Sequence, residues 1–206
     1  MSETLPNFGI TKMKWARLAK VSSTSGSFDY SQKIYDWSAR IREVTISVRS
    51  LSAEEEAKWR GFFLRVDGQV GTFTLTPYGG EKPKGAILDA FGRWKGTAVV
   101  SGSGQTGKTL NINGLPVSEA KALAQGDWFS LSGILHEVTT DVVSDAAGAG
   151  TVNLWRALAV APANDVPLVL DQPTGTFKLL GDIPEMSWTT EQRGSGFSFR
   201  AREVLS

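Results

Sequence analysis

The chain of 206 residues contains no cysteine. That excludes disulfides, thiolate zinc sites and cysteine nucleophiles together, and it suits folding in a reducing compartment. Histidine is nearly absent as well: His136 is the single one, so any Ser-His-Asp triad must use it and no multi-histidine metal site is available. No apolar run approaches the ~18 residues of a membrane helix. Met1-Ser2-Glu3-Thr4-Leu5-Pro6 lacks the basic-then-apolar layout of a signal peptide. These features read as a soluble protein without a visible export signal or membrane insertion. An excess of either charge is missing too, with 22 Lys+Arg against 21 Asp+Glu. No run along the chain resembles a basic stripe for phosphates, so sequence-specific nucleic-acid binding is not expected. Helix-forming stretches are scarce, while glycine (22) and tryptophan (7) are plentiful, a balance that predicts short strands joined by tight turns.

Against this background one string stands out. Gly102-Ser103-Gly104-Gln105-Thr106-Gly107-Lys108-Thr109 satisfies the phosphate-loop pattern G-x-x-x-x-G-K-[ST]. A phosphate loop must open a helix, whose free N–H groups hold the phosphates. Here Leu110 and Ile112 alternate with polar residues as in a strand, Asn113-Gly114 is a turn dipeptide, and Pro116 would break a helix begun at Lys108. Val166-Pro167-Leu168-Val169-Leu170-Asp171 imitates the magnesium-holding strand of such enzymes, but Pro167 is awkward in a central parallel strand. The helices that must alternate with strands in that fold are missing. The loop is expected between two strands, without a bound nucleotide.

Residues 33–49 read as extended structure. Tyr35, Trp37, Ala39 and Ile41 share one face, then Val44, Ile46 and Val48 continue in the opposite phase, which predicts a bulge or a bend near Arg42-Glu43. A helix follows over residues 52–66: Ser52 and Glu55 form a capping box, Glu54 to Glu56 suit the positive end of its dipole, and Trp59, Phe62, Phe63 and Val66 form an apolar stripe. Gly68 offers a left-handed stop. A strand over residues 70–78 comes next, then a long turn over 81–85 with Lys82, Pro83 and Lys84. Shorter strands are predicted at 97–100, 109–112, 128–131, 135–138 and 151–154, with one helical turn over 116–124 capped by Ser118. Residues 177–206 resume the long alternating pattern of the first part of the chain. Phe177 and Leu179 alternate, a turn falls at Arg193-Gly194-Ser195-Gly196 after Met186 and Trp188, and Phe197, Phe199 and Ala201 oppose Ser198, Arg200 and Arg202. The fold class is therefore mainly β. Residues 1–85 and 175–206 form one discontinuous β-sandwich or barrel with a packed α-helix, and residues 86–174 form an inserted small β-barrel, OB-like in its strand lengths. Charge divides accordingly, with 6 basic and 8 acidic residues in 86–180 and 16 and 13 outside it.

Candidate chemistry is sparse. His136 sits in an alternating strand, Leu135-His136-Glu137-Val138, with no Gly-x-Ser-x-Gly elbow to supply a partner serine, and reads as sheet-packed or solvent-facing. Asp127, Glu137, Asp141, Asp145 and Asp165 offer carboxylates for glycoside hydrolysis or calcium, but no run matches a calcium loop, and turn-forming aspartates are the simpler reading. No catalytic, cofactor-binding or metal-binding residues are assigned. Trp94, Trp128 and Trp155 remain as possible stacking platforms for sugar rings, or as core and interface residues.

The order of several segments resembles a family. Residues 103–115, then Gln125-Gly126-Asp127-Trp128-Phe129, Leu135-His136-Glu137-Val138, Asp145-Ala146-Ala147-Gly148-Ala149-Gly150-Thr151-Val152 and Pro173-Thr174-Gly175-Thr176-Phe177-Lys178-Leu179 are similar to a module of tail-tip proteins from long-tailed bacteriophages. Asn113 stands where that pattern usually has Asp. Residues 52–77, with Gly68-Gln69-Val70-Gly71-Thr72-Phe73-Thr74-Leu75-Thr76-Pro77, and the closing segment Trp188 to Glu203 resemble distal tail proteins. The likeness spans roughly residues 35–206. It implies a virion structural protein made in the host cytoplasm and located at the tail tip. The outer domain would form a hexameric ring between tail tube and tip hub, and the insert would project outward. The implied partners are copies of itself, the tail tube protein, hub and minor tail proteins and the tape-measure protein, with DNA only in transit. The resemblance implies neither enzyme activity nor a cofactor. A host-surface carbohydrate-binding module and another minor tail protein are the alternatives.

Overall fold

The computed structural model describes residues 3–25, 32–187 and 195–205. The fold is mainly β with one helix. In chain order its elements are β1 (Glu3–Thr4), β2 (Ile10–Ser25), β3 (Gln32–Val48), α1 (Ala53–Val66), β4 (Phe73–Leu75), β5 (Val99–Val100), β6 (Thr109–Asn113), β7 (Trp128–Leu131), β8 (Ile134–Glu137), β9 (Gly150–Asn153), β10 (Gly175–Leu180) and β11 (Phe197–Glu203). The chain divides into two compact units, Met1–Phe73 with Phe177–Glu203 and Thr74–Thr176 with Val204–Ser206. The division thus falls within β4 and β10, so the 81–85 turn belongs to the second unit. The turn at Arg193-Gly194 and the side chains of Tyr35, Trp37, Ala39 and Trp188 lie outside the described residues.

In the first unit α1 starts as its sequence dictates. The Ser52 hydroxyl accepts from the Glu55 N–H, and the Glu55 carboxylate accepts from the Ser52 N–H. The left-handed stop comes one residue earlier than expected, at Asp67 (φ 53°), with Gly68 also left-handed. The next return is tight: a Cβ on Gly71 would lie 2.2 Å from the Val66 carbonyl oxygen. The helix packs on a six-stranded sheet of order β1-β4-β10-β11-β3-β2. It carries the chain from β3 to β4, and the two positions between those strands are filled by β10 and β11, the last elements of the chain. Trp59, Phe62 and Phe63, all fully buried, meet Phe73, Phe197 and Phe199 with ring centroids 5.2–6.0 Å apart. Most of these pairs are edge-to-face, a favoured aromatic geometry.

The β2–β3 register corrects the expected bulge. Arg17↔Arg42 and Ala16↔Glu43 pair regularly, and the register breaks instead between Ala19↔Arg40 and Val21↔Asp36. The apolar phase changes near residue 42 because Arg42 occupies a core-facing position beside Val44. Its guanidinium, with a side chain 1 % exposed, pairs with the fully buried Glu203 carboxylate at 3.5 Å. Among the described residues only the base of this hairpin has a third strand: β11 pairs with β3 from Glu43 to Val48, while β2 and β3 run on together to Ser25↔Gln32.

The second unit builds its own core. β5-β6-β9 form one antiparallel sheet and β7-β8 another. Residues 166–170 join them: Val100 donates to the Val166 carbonyl and Leu168 to that of Ala98, while Ser130 and Val169 exchange two bonds of 2.9 and 3.0 Å. On the other side an antiparallel bridge, Val138↔Leu154, links the ends of β8 and β9. The hydrogen-bonded circuit therefore closes through β5, β6, β9, β8, β7 and residues 166–170 as a small antiparallel barrel, which removes free sheet edges. It has one segment more than the five strands of an OB-fold. Every segment contributes to the filling, with Ala98 and Val100, Leu110 and Ile112, Val152 and Leu154, Val138, Phe129 and Leu131, and Leu168 and Leu170. Pro167 is tolerated because successive N–H groups point to opposite neighbours, so its missing donor falls beyond the end of β7. The helical turn expected over 116–124 is absent. Ser118 is left-handed at φ 54°, which no N-cap adopts. Ser144 ties the segment down instead, donating through its hydroxyl to the Pro116 carbonyl and accepting from the Glu119 N–H.

Glu203→Ala removes the buried carboxylate that pairs with the Arg42 guanidinium and is expected to cost about 3–5 kcal/mol. Replacing the pair together (Arg42→Met with Glu203→Leu) is expected to recover most of that loss. Urea unfolding of the two variants beside the parent checks both.

Candidate functional site

In the barrel unit, the turn ahead of β5 is held by a network of hydrogen bonds. Leu88 and Trp94 form an antiparallel bridge. Asp89 organises the turn between them: its Oδ1 accepts from the Phe91 and Arg93 N–H groups, and its Oδ2 from the Arg93 guanidinium at 2.7 Å. The backbone hydrogen bond from Arg93 is the largest of the effects that hold the Asp89 carboxyl below the usual carboxylate range. The turn presents two apolar rings to solvent. Phe91 is 83 % exposed, with the Arg93 guanidinium 5.2 Å from its centroid, and Trp94 is 42 % exposed. Trp94 borders a cleft of about 300 Å³, walled by residues 96–98 on one side and Leu168 to Asp171 on the other. The wall is fixed by a close crossing: a Cβ on Gly96 would lie 2.2 Å from the Gly114 carbonyl oxygen, and one on Gly114 2.0 Å from that of Thr97. Trp94 and Asp171 thus line one cleft with an apolar ring and a hydrogen-bond acceptor.

The other tryptophans do not join it. Trp128 is 9 % exposed and packs over Gly80, where a Cβ would lie 2.5 Å from its indole. Trp155 is half-buried and does not line the cleft. His136 is buried and stacks on Phe129 with centroids 5.3 Å apart, the sheet-packed alternative.

The carboxylates are dispersed, and Asp127, Asp141 and Asp145 accept from backbone N–H groups. Asp127, buried at the start of β7, accepts from Lys84 and Gly85 and from Ala124 at 2.8 Å. Asp145 accepts from Ala147 and Ala149, and Asp141 from Gln125 and Lys121. Asp165 is a left-handed turn residue that accepts from Asn164. No group of three potential metal ligands occurs among the described residues. No helix of the described chain is long and apolar enough to cross a membrane.

The glycine loop connects β5 to β6, and Lys108 is the turn residue immediately before β6. Some of its polar groups bond within the protein. The Gly102 N–H binds the Asn164 side chain, and the Gly104 N–H binds the Pro162 carbonyl. The Gln105 amide donates to the carbonyls of Ser101, Gly102 and Asn111 and accepts from the Asn111 N–H. A phosphate cradle needs a helix behind such N–H groups, and here β6 follows instead.

A second feature has no counterpart in any single stretch of sequence. On the sheet face turned away from α1, the register aligns Lys12, Ser47 and Ser198 in one row, Lys14, Thr45, Arg200 and Leu180 in the next, and Ala16, Glu43, Arg202 and Lys178 in a third. The absence of a basic run along the chain is therefore no guide to the folded surface. Alternation in β2 and β11 is the signal that points to it.

Asp127→Ala removes three acceptor contacts with backbone N–H groups and is expected to lower stability by about 3 kcal/mol, since a hydrogen bond to a charged group contributes roughly 1.5–3 kcal/mol. Lys108→Ala is expected to leave stability within about 0.5 kcal/mol of the parent. Thermal unfolding of both variants checks the contrast. No family model matches this chain, and no curated protein matches it.

Proposed function

We propose that the protein is a self-assembling structural subunit, a distal tail protein that forms a ring, hexameric in its family, between the tail tube and tip hub of a long-tailed phage. The observation that carries this reading is the β2–β3 ribbon. Beyond the Glu43↔Arg202 pair it continues, among the described residues, to Ser25↔Gln32 as two strands only, a reach of roughly 30 Å at 3.3 Å per residue. A two-stranded ribbon is marginal in water and its open edges are templates for pairing. Its natural partner is the sheet of a neighbouring copy. Such a contact joins two different patches and, when its rotation closes, generates a ring. The family resemblance of the segment order supports the phage assignment. The tail-tip location, the tube, hub and tape-measure partners and the passage of DNA follow from that resemblance.

Two measurements test this. The parent chain is expected to form rings, seen by light scattering and in micrographs. A variant with residues 20–39 replaced by Asn-Gly, a two-residue hairpin turn between Ala19 and Arg40, is expected to stay folded and monomeric. A parent that remains monomeric at high concentration, with no ring in intact particles, overturns the proposal.

A second reading is favoured by the cleft beside Trp94. In this reading the barrel unit binds a host-surface glycan by stacking a sugar on that indole. Cell-wall sugars are expected to shift the tryptophan fluorescence, and Trp94→Ala to abolish the response while Trp155→Phe keeps it. A glycan panel without a hit removes the reading.

A further inference from the structure

We infer that the sheet face turned away from α1 binds the phosphate backbone of a nucleic-acid duplex without reading its sequence. The three aligned rows carry Lys12, Lys14, Lys178, Arg200 and Arg202 against one carboxylate, Glu43. The lysines are exposed, and the arginine side chains are 61 % and 42 % exposed. At a strand spacing of 4.7–4.9 Å and two-residue steps of about 6.7 Å, four strands and three rows make a patch roughly 14 Å on a side. That span reaches phosphates on both sides of a ~12 Å major groove. Glu43 also orients the two arginines. Its Oε1 accepts from Arg202 at 2.6 and 3.0 Å and its Oε2 from Arg200 at 2.8 Å, which leaves a net positive patch with its guanidinium groups held in place.

The chemistry of the face selects among anionic partners. A protein interface is built around a desolvated core rich in aromatic residues and poor in lysine and serine. These rows have the opposite composition: no aromatic residue, three lysines, and the hydroxyls of Thr45, Ser47 and Ser198 between them. Lysine, arginine, serine and threonine side chains are among the groups that contact phosphates. Single strands are held largely by stacking on aromatic rings, which the face lacks, so the duplex is the better fit. The inference does not rest on the ring reading, because the assay reads the chain in whatever oligomeric state it adopts.

The test is fluorescence anisotropy of a labelled 20-base-pair DNA duplex titrated with the full chain at several salt concentrations. With about four phosphates neutralised, the expected slope of log K against log salt is near −3.6, a roughly hundredfold loss between 50 and 200 mM, with Kd in the range of about 10⁻⁴–10⁻⁶ M near physiological salt. Two unrelated sequences are expected to bind equally. A variant carrying Lys12→Ala, Lys14→Ala and Lys178→Ala is expected to keep the parental urea midpoint, to bind at least about tenfold more weakly and to show a slope reduced to about −1. Absence of binding at 20 mM salt overturns the inference. So does an unchanged slope in the variant, tighter binding of the matching single strand, or tighter binding of a polyglutamate peptide, which would assign the face to an acidic protein.

Discussion

Trp59 is the point on which the first unit turns. It lies fully buried among Phe62 and Phe63 of its own helix and Phe197 and Phe199 of β11, so it joins residues separated by well over half of the chain. The sheet order makes that contact obligatory. α1 delivers the chain from β3 to β4 across two vacant strand positions, and β10 and β11 fill them. Until the last strand arrives, Trp59 and Phe63 lack Phe197 and Phe199, and Arg42 lacks Glu203. Local capping starts the helix, but burial against the end of the chain provides the tertiary packing that stabilises it.

The same strand that closes the core also shapes the opposite surface. Along β11, Phe197, Phe199, Ala201 and Glu203 face the helix, while Ser198, Arg200 and Arg202 face outward. The two faces use charge in different ways. Inside, one arginine and one glutamate pair out of water. Outside, Glu43 is held below the usual carboxylate range, first by its hydrogen bond from Arg202 and then by Arg200, two outward cations of the same strand.

Much of this is legible in the residues. The helix is readable because its capping box, acidic first turn and aromatic stripe agree, and the barrel strands because glycine turns bracket short alternating runs. β2 is not readable in the same way: its Lys12-Met13-Lys14-Trp15-Ala16-Arg17 run mixes helix formers with weak alternation, since an edge strand exposed over much of its length needs little apolar patterning. Residues 166–170 imitate a magnesium strand in sequence, because the permission for Pro167 depends on where β7 ends. Arg42 mimics the site of a bulge, as a buried ion pair breaks the apolar rhythm without breaking the register. Nor does sequence rank the three tryptophans. What separates Trp94 from Trp128 is the approach of Gly80 to the latter, a long-range contact with no local signature.

The positions at which the chain leaves and re-enters the first unit have a further implication. The crossings fall within β4 and β10, which are neighbours in the six-stranded sheet. The second unit therefore occupies the place of a simple turn between adjacent strands. Because loop-closure entropy grows only slowly with loop length, such a socket accepts cassettes of very different size with little thermodynamic consequence for the host sheet. A lineage built on this plan can exchange what it displays while leaving its scaffold untouched.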